Sequence, residues 1–265
     1  VSAVKRNLAL ILEKLSDFIG VNQKLDELEL LQAEEANYLL VQDRLEALLS
    51  LERAVREQPS AGKFREKFAQ VHEFRARFMQ KVLGAFDDYL ELCRARPEAL
   101  RRAVEVADRA DHFEGGEHCR QEVLDRLAAA VVRRFDLKLA PKAEIHLLLE
   151  NIKFSVDDLL LVYEHLQPLF SPRYQLFAFM EQAYKAQIEL KVLPFVQDFD
   201  YLRENPGTLV YLINWLNTYE KLLTKVGFAS LSFGALRERI RGSMPFFTAH
   251  VERMFSDYLQ NIERN

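Results

Sequence analysis

The chain has 265 residues but only 9 glycines and 8 prolines. That scarcity excludes a sandwich, propeller or many-stranded barrel, each of which needs a turn every ~8–12 residues. A composition 49% hydrophobic and 29% charged excludes global disorder, and a formal net charge of -4 argues against a dedicated nucleic-acid binder, which carries a basic excess for phosphates.

Residues 2–19 place Leu8, Ile11, Leu12, Leu15 and Phe18 on one helical stripe, and Gly20 punctuates its end. Residues 24–57 run without Gly or Pro. Within them Tyr38, Val41, Leu45, Leu48 and Val55 step by threes and fours, broken only at Glu52, as a heptad-like seam does. Such a seam serves either a helix in its own bundle or a contact with another subunit, and these five residues are the candidate interaction residues. Gln58-Pro59-Ser60-Ala61-Gly62 makes the first clear break. A second long helix is predicted over 63–95, with Phe64, Phe68, Val71, Phe78, Val82, Tyr89 and Cys93 on its apolar stripe.

Pro97 stands where a helix start tolerates it, opening a helix over 98–111. Gly115 and Gly116 form the strongest loop signal, and the next helix covers 118–139. Pro141 opens a short helix through Asn151. Ser155 and Asp158 then read as a capping box, with Ser155 as N-cap of a helix running to about Leu166. Pro168 and Pro172 bracket a turn. From Arg173 a stripe of Tyr174, Phe177, Met180, Tyr184, Ile188 and Val192 marks a helix that Pro194 kinks or ends. Residues 208–226 form an apolar helix holding Trp215, with Gly227 as its C-cap, and helices over 231–241 and 245–263 complete the chain. The prediction is an all-α fold, an elongated rod of stacked antiparallel hairpins and bundles. Its segments are 1–57, a long coiled-coil-like helical stretch; 58–139, a first bundle; and 140–265, a second.

Little in this pattern carries chemistry. Two cysteines, Cys93 and Cys119, cannot build a disulfide framework and read as reduced thiols of an intracellular protein. No run of ~18 apolar residues predicts a membrane span, and no signal peptide follows Val1. His112, Glu114, Glu117, His118 and Cys119 are metal-ligand types, but their spacing matches no zinc pattern. Asp87, Asp88 and Glu91 share a predicted helix face, the way all-helical isoprenoid synthases hold magnesium, yet no second carboxylate cluster at the right step accompanies them. Nucleophile elbows, phosphate-cradling loops and His-Glu-x-x-His are absent. Small basic clusters at Arg101-Arg102, Arg133-Arg134 and Arg237-x-Arg239-x-Arg241 read as solvated helix faces, the last with a secondary reading as an anionic-lipid contact. The residues therefore name no catalytic group, cofactor, metal, nucleic acid or small-molecule substrate: the chain reads as a non-enzymatic interaction protein.

A more specific signal lies in the second half. Residues 157–177, Asp-Asp-Leu-Leu-Leu-Val-Tyr-Glu-His-Leu-Gln-Pro-Leu-Phe-Ser-Pro-Arg-Tyr-Gln-Leu-Phe, resemble a segment of the exocyst complex component 3 family, the Sec-six type. Trp215 and Tyr219 resemble that family's Trp-x-x-x-Tyr helix, and Val226-Gly227-Phe228 falls where the family has Gly-Val. His250-Val251-Glu252-Arg253-Met254 and Asn261-Ile262-Glu263 resemble its Tyr-Val-Glu-Arg-Met and Asn-Ile-Leu-Glu stretches. Residues 97–106 and 119–135 match more weakly, in the same order, and 1–57 in pattern only. Departures are a short loop over 111–116, His250 in place of Tyr, and a single Pro172 where two prolines are common.

The resemblance implies an interior segment of a longer helical subunit of the exocyst. This multisubunit tether holds secretory vesicles at the plasma membrane before SNARE-mediated fusion. It implies other exocyst subunits as partners through helix packing, with SNARE proteins and the plasma membrane beyond them, and a cytoplasmic location peripheral to plasma membrane or vesicles. The alternatives are a helical adaptor or tether subunit of another family and, further off, a magnesium-dependent isoprenoid-type enzyme.

Overall fold

A computed structural model describes residues 20–56, 65–115, 118–140, 144–228 and 232–264. The helix expected over 2–19, the break at 58–62, Phe64, Gly116, Glu117 and Pro141 lie outside the described residues. No strand occurs among the described residues, and the fold is all-α as the breaker scarcity predicts. Two compact units divide it: Val1–Leu127 with Leu169–Tyr174, and Ala128–Pro168 with Gln175–Asn265.

Unit 1 is built from α1 (Val21–Leu31), α2 (Tyr38–Arg56), α3 (Arg65–Gly84), α4 (Tyr89–Ala95), α5 (Pro97–Glu114) and the first turns of α6 (His118–Lys138). Its hub is α5, packed against α2, α3 and α4. The sequence explains why: Ala99, Ala103, Ala107 and Ala110 fall on one buried stripe, and small side chains at a contact shorten the distance between helix axes. Phe74, Phe78, Phe86 and Tyr89 are essentially sealed from solvent and supply the bulk around that alanine stripe.

Two long helices expected from periodicity are each divided. The segment 24–57 breaks after Leu31, where Asn37 Nδ2 donates to the Leu31 carbonyl at 3.4 Å and Lys81 Nζ donates to the Gln32 carbonyl at 2.6 Å. Those side chains satisfy carbonyls that a helix end leaves open. The segment 63–95 breaks at Gly84, followed by three tightened i+3 hydrogen bonds, from Ala85, Phe86 and Asp87, before α4 starts at Tyr89. Glycine is the weakest ordinary helix former and aspartate prefers caps and turns, so an apolar stripe could not carry the helix through 84–88.

Unit 2 contains the rest of α6, α7 (Ile145–Asn151), α8 (Phe154–Leu161), α9 (Leu176–Gln197), α10 (Phe199–Glu204), α11 (Thr208–Lys225) and α12 (Gly234–Arg264). A π-helical turn over Val162–Leu166 continues α8. Here the sequence reading over-divides. Pro194 does not end α9, which runs on to Gln197, and Pro245 lies inside a single helix, Gly234–Arg264, where two were expected. Both prolines are exposed, as are Leu190 and Arg241, whose carbonyls lose their hydrogen-bond partner. On the wet side of a helix water reaches such a carbonyl, so the lost bond is tolerated.

The capping box is also corrected. Ser155 is not an N-cap: it lies within α8, fully buried, and its Oγ donates to the Ile152 carbonyl at 2.5 Å. With that proton committed, Ser155 Oγ accepts from the Tyr219 hydroxyl at 2.6 Å, tying α8 to α11. Asp158, the other half of the box, is equally buried and serves a tertiary ion pair.

Candidate functional site

The predicted seam lies on α2. Tyr38, Val41, Leu45 and Leu48 are all buried within unit 1, with the Tyr38 ring edge-on to Phe78 at 5.5 Å. Val55 falls in the last turn of α2, and its side chain is outside the described residues. Glu52, which interrupts the seam in sequence, is 7% exposed and meets His72 Nε2 at 2.7 Å. The polar break is therefore a pairing site between α2 and α3. A shallow groove of about 230 Å³ opens beside the seam, lined by Lys24, Glu27, Arg44, Ala47, Leu48 and Leu51. The Arg44–Glu27 ion pair, at 3.1 Å, is half exposed at that groove.

The acidic cluster does not assemble as a metal-holding face. Asp87 and Asp88 lie in the turn between α3 and α4, Asp88 and Glu91 are exposed, and Asp87 pairs with Arg126 at 2.9 Å. The helix face that would have aligned the three carboxylates is interrupted by the break after Gly84. At the second cluster, His112 and His118 are exposed whereas Cys119 is buried, its thiol pushed up to about 11 by burial and by the nearby Asp111 carboxylate. Among the described residues no group of three His, Cys, Asp or Glu side chains is placed to hold a metal ion.

Each basic cluster has at least one arginine in an ion pair on its own unit. Arg101 pairs with Glu98 at 3.5 Å, Arg237 with Glu220 and Arg241 with Glu238, while Arg237 also donates to Asn217 at 2.9 Å. Arg134 is held most firmly, with Nε and Nη2 donating to the two oxygens of buried Asp158 at 2.9 and 3.1 Å. Tyr184 donates to the same carboxylate at 3.2 Å. An apolar groove of about 250 Å³ lies between α11 and α12, lined by Ile213, Leu216, Ile240 and Met244 with Arg237 and Arg241 on its rim.

Most of the aromatic residues that carry the sequence resemblance are buried or half-buried, Tyr163 being the exposed one at 52%. Trp215 stacks on Tyr219 at 4.9 Å and donates from Nε1 to the Leu149 carbonyl at 3.0 Å. Burial pushes the Tyr219 phenol up to about 12. Tyr174 is 2% exposed, and half-buried Phe177 meets Tyr163 and Phe228 in an aromatic cluster. These side chains hold elements together.

A surface that sequence reasoning missed lies on α12. Met254, Phe255, Tyr258, Leu259 and Ile262 are each more than half exposed. Their spacing, extended back by half-exposed Val251, is i, i+3, i+4, i+7, i+8, i+11, one stripe of a helix. Periodicity contained the signal, but an amphipathic stripe reads the same whether it faces its own core or nothing. No helix among the described residues is long and apolar enough to cross a membrane.

Comparison with known proteins finds a family match. The family model described as exocyst complex component Sec6 matches residues 42–265, a span that includes the blocks from residue 97 onward and only the last part of 1–57. No match was found among curated proteins, nor among solved structures.

Proposed function

Because the chain belongs to the Sec6 family of exocyst components, we propose that it works without chemistry of its own, as a helical scaffold of the component 3 type that packs against other exocyst subunits. In that role it helps tether secretory vesicles at the plasma membrane ahead of SNARE-mediated fusion, as a cytoplasmic protein peripheral to the membranes it joins. Members of the family are structural subunits of a tethering complex rather than enzymes. The observation that supports the reading best is the uncovered apolar stripe of α12, a face suited to receiving a partner helix. Each such contact is weak alone, and a multisubunit tether multiplies it through avidity.

Residues 1–57 remain in this reading the segment turned toward another subunit. Within it Tyr38, Val41, Leu45 and Leu48 are already covered by unit 1, so they hold the frame rather than supply the contact. Affinity purification with mass spectrometry separates the parts. The intact chain should recover other exocyst subunits, and Phe255→Asp with Leu259→Asp should lower that recovery while leaving the helical content unchanged. Deleting 1–57 should lower it as well. Recovery of no exocyst subunit by the intact chain defeats the tether reading; full recovery by the α12 variant defeats the role given to that stripe.

A further inference from the structure

The segment Leu169–Tyr174 belongs to unit 1, although the residues on either side of it, Pro168 and Gln175, belong to unit 2. Specific contacts hold it. Phe170 is 9% exposed, its ring 6.0 Å from that of Phe86 and 5.0 Å from that of Tyr174. The Tyr174 hydroxyl donates to Asp108 Oδ1 at 2.7 Å, and Arg173 Nη2 donates to the same oxygen at 2.6 Å. A 3₁₀ turn over Pro172–Tyr174 sets both side chains toward α5, and Gln175, with φ of 45°, turns the chain away immediately afterwards.

Arg173 has a second carboxylate beside it. Its Nη2 lies 3.6 Å from Asp111 Oδ2, and Asp111 is 1% exposed. Asp111 Oδ1 accepts from the Cys119 backbone N–H at 2.8 Å and Oδ2 from that of Arg120 at 3.0 Å. Those are first-turn amides of α6, which have no partner inside their own helix. One turn of α5, from Asp108 to Asp111, thus carries the anchor of the segment and the cap of α6. Arg173 is the cation common to both.

We propose that Leu169–Tyr174 is a latch strap whose docking and the capped start of α6 open and close as one cooperative unit, with Arg173 as the coupling residue. A buried carboxylate is costly without compensating charge. While the strap is docked, the Asp111 charge is shared between two amide dipoles, the Cys119 thiol and a guanidinium. When the strap leaves, Asp111 keeps the two amides and the Cys119 thiol and gains access to water, where it is better solvated than in the cap. Undocking therefore weakens the hold on Cys119 N and Arg120 N, and the buried Cys119 side chain becomes accessible with them. Local opening in contiguous units of this kind is a general property of folded chains.

Hydrogen exchange by mass spectrometry on the full chain, combined with alkylation of Cys119 at pH 8, tests the coupling. Arg173→Gln should accelerate exchange in a peptide covering 169–176 and at the amides of Cys119 and Arg120 by a common factor of about ten. Alkylation of Cys119 should rise by the same factor, with Cys93→Ala as background so that a single thiol reports. Tyr174→Phe, which keeps both charges and loses one strap hydrogen bond, should move all three readouts together by a smaller common factor, and it covers the case in which Arg173→Gln fails to fold. Faster exchange in the strap with unchanged protection at Cys119 and Arg120 overturns the proposal, because the two elements would then open separately. Unchanged exchange in the strap overturns it too.

Discussion

The ion pair between Arg134 and Asp158 gives the sharpest quantitative test of how unit 2 is held. Asp158 is 1% exposed, receives two hydrogen bonds from Arg134 and one from Tyr184, and joins α6, α8 and α9. Replacing Arg134 by Met keeps the aliphatic stem over Phe154, which the guanidinium overlies at 5.5 Å, and removes the charge. Breaking a buried pair costs ~3–5 kcal/mol because the remaining ion is uncompensated. The Arg134 side chain is 27% exposed, so water replaces part of what is lost and the expected cost is about 3 kcal/mol, the lower end of that range. Trp215 is the sole tryptophan and lies in unit 2, so its fluorescence during urea unfolding reports on that unit alone. The triple change Arg134→Met, Asp158→Leu, Tyr184→Phe removes all three polar groups and should return stability to within about 1 kcal/mol of the starting protein, since apolar replacement of a buried pair is often neutral. A loss below about 1 kcal/mol for Arg134→Met, or a triple variant no more stable than the single, refutes the reasoning.

The same fluorescence assay checks an asymmetry at Ser155: Ser155→Ala strands the buried Tyr219 hydroxyl and should cost ~1–3 kcal/mol, whereas Tyr219→Phe leaves Ser155 bonded to Ile152 and should cost about 1 kcal/mol. Equal costs would show that the hydroxyl chain runs the other way. At Gly115, the C-cap of α5 with φ of 69°, substitution by Ala should destabilise by ~1–2 kcal/mol although nothing within 4 Å would meet the new methyl group, so the cost is purely one of backbone conformation. Thermal unfolding with an unchanged midpoint would count against it. For pH, burial raises the thiols of Cys93 and Cys119 from 9.0 to about 11. Below pH 9 both states keep these protons; between pH 9 and 11 the unfolded chain releases them and the folded chain does not. Stability should therefore fall with rising pH in that window and level above it, and Cys93→Ala with Cys119→Ala should flatten the slope. Urea midpoints that do not move between pH 9 and 11, or thiols alkylated at pH 8 in the folded chain as fast as free cysteine, would contradict this.

Helix positions along α5, α9 and α11 were legible because a period of 3.6 and a few breakers are local properties. Pro97 at the first helical position and Gly115 at the C-cap are where residue chemistry alone puts them. Breakers failed in both directions for one reason, that their effect depends on surroundings. Gly84 with Asp87 and Asp88 ended a helix that its apolar stripe would have continued, while exposed Pro194 and Pro245 ended none. Surfaces were less legible still: the α2 seam and the α12 stripe both follow a helical period of three and four residues, yet one is covered and the other open.

The amino-acid sequence by itself determined the all-α class, most helix positions and, through ordered blocks from residue 97 onward, the family. Each of these is written in local spacing or in the order of short segments along the chain. Tertiary structure alone decided that Ser155 and Asp158 serve the interior rather than a helix start, that Asp111 caps a helix eight residues further on, and which apolar stripe lacks a cover. Those outcomes depend on what stands opposite a side chain, and an amphipathic period specifies that a face must be buried without specifying against what.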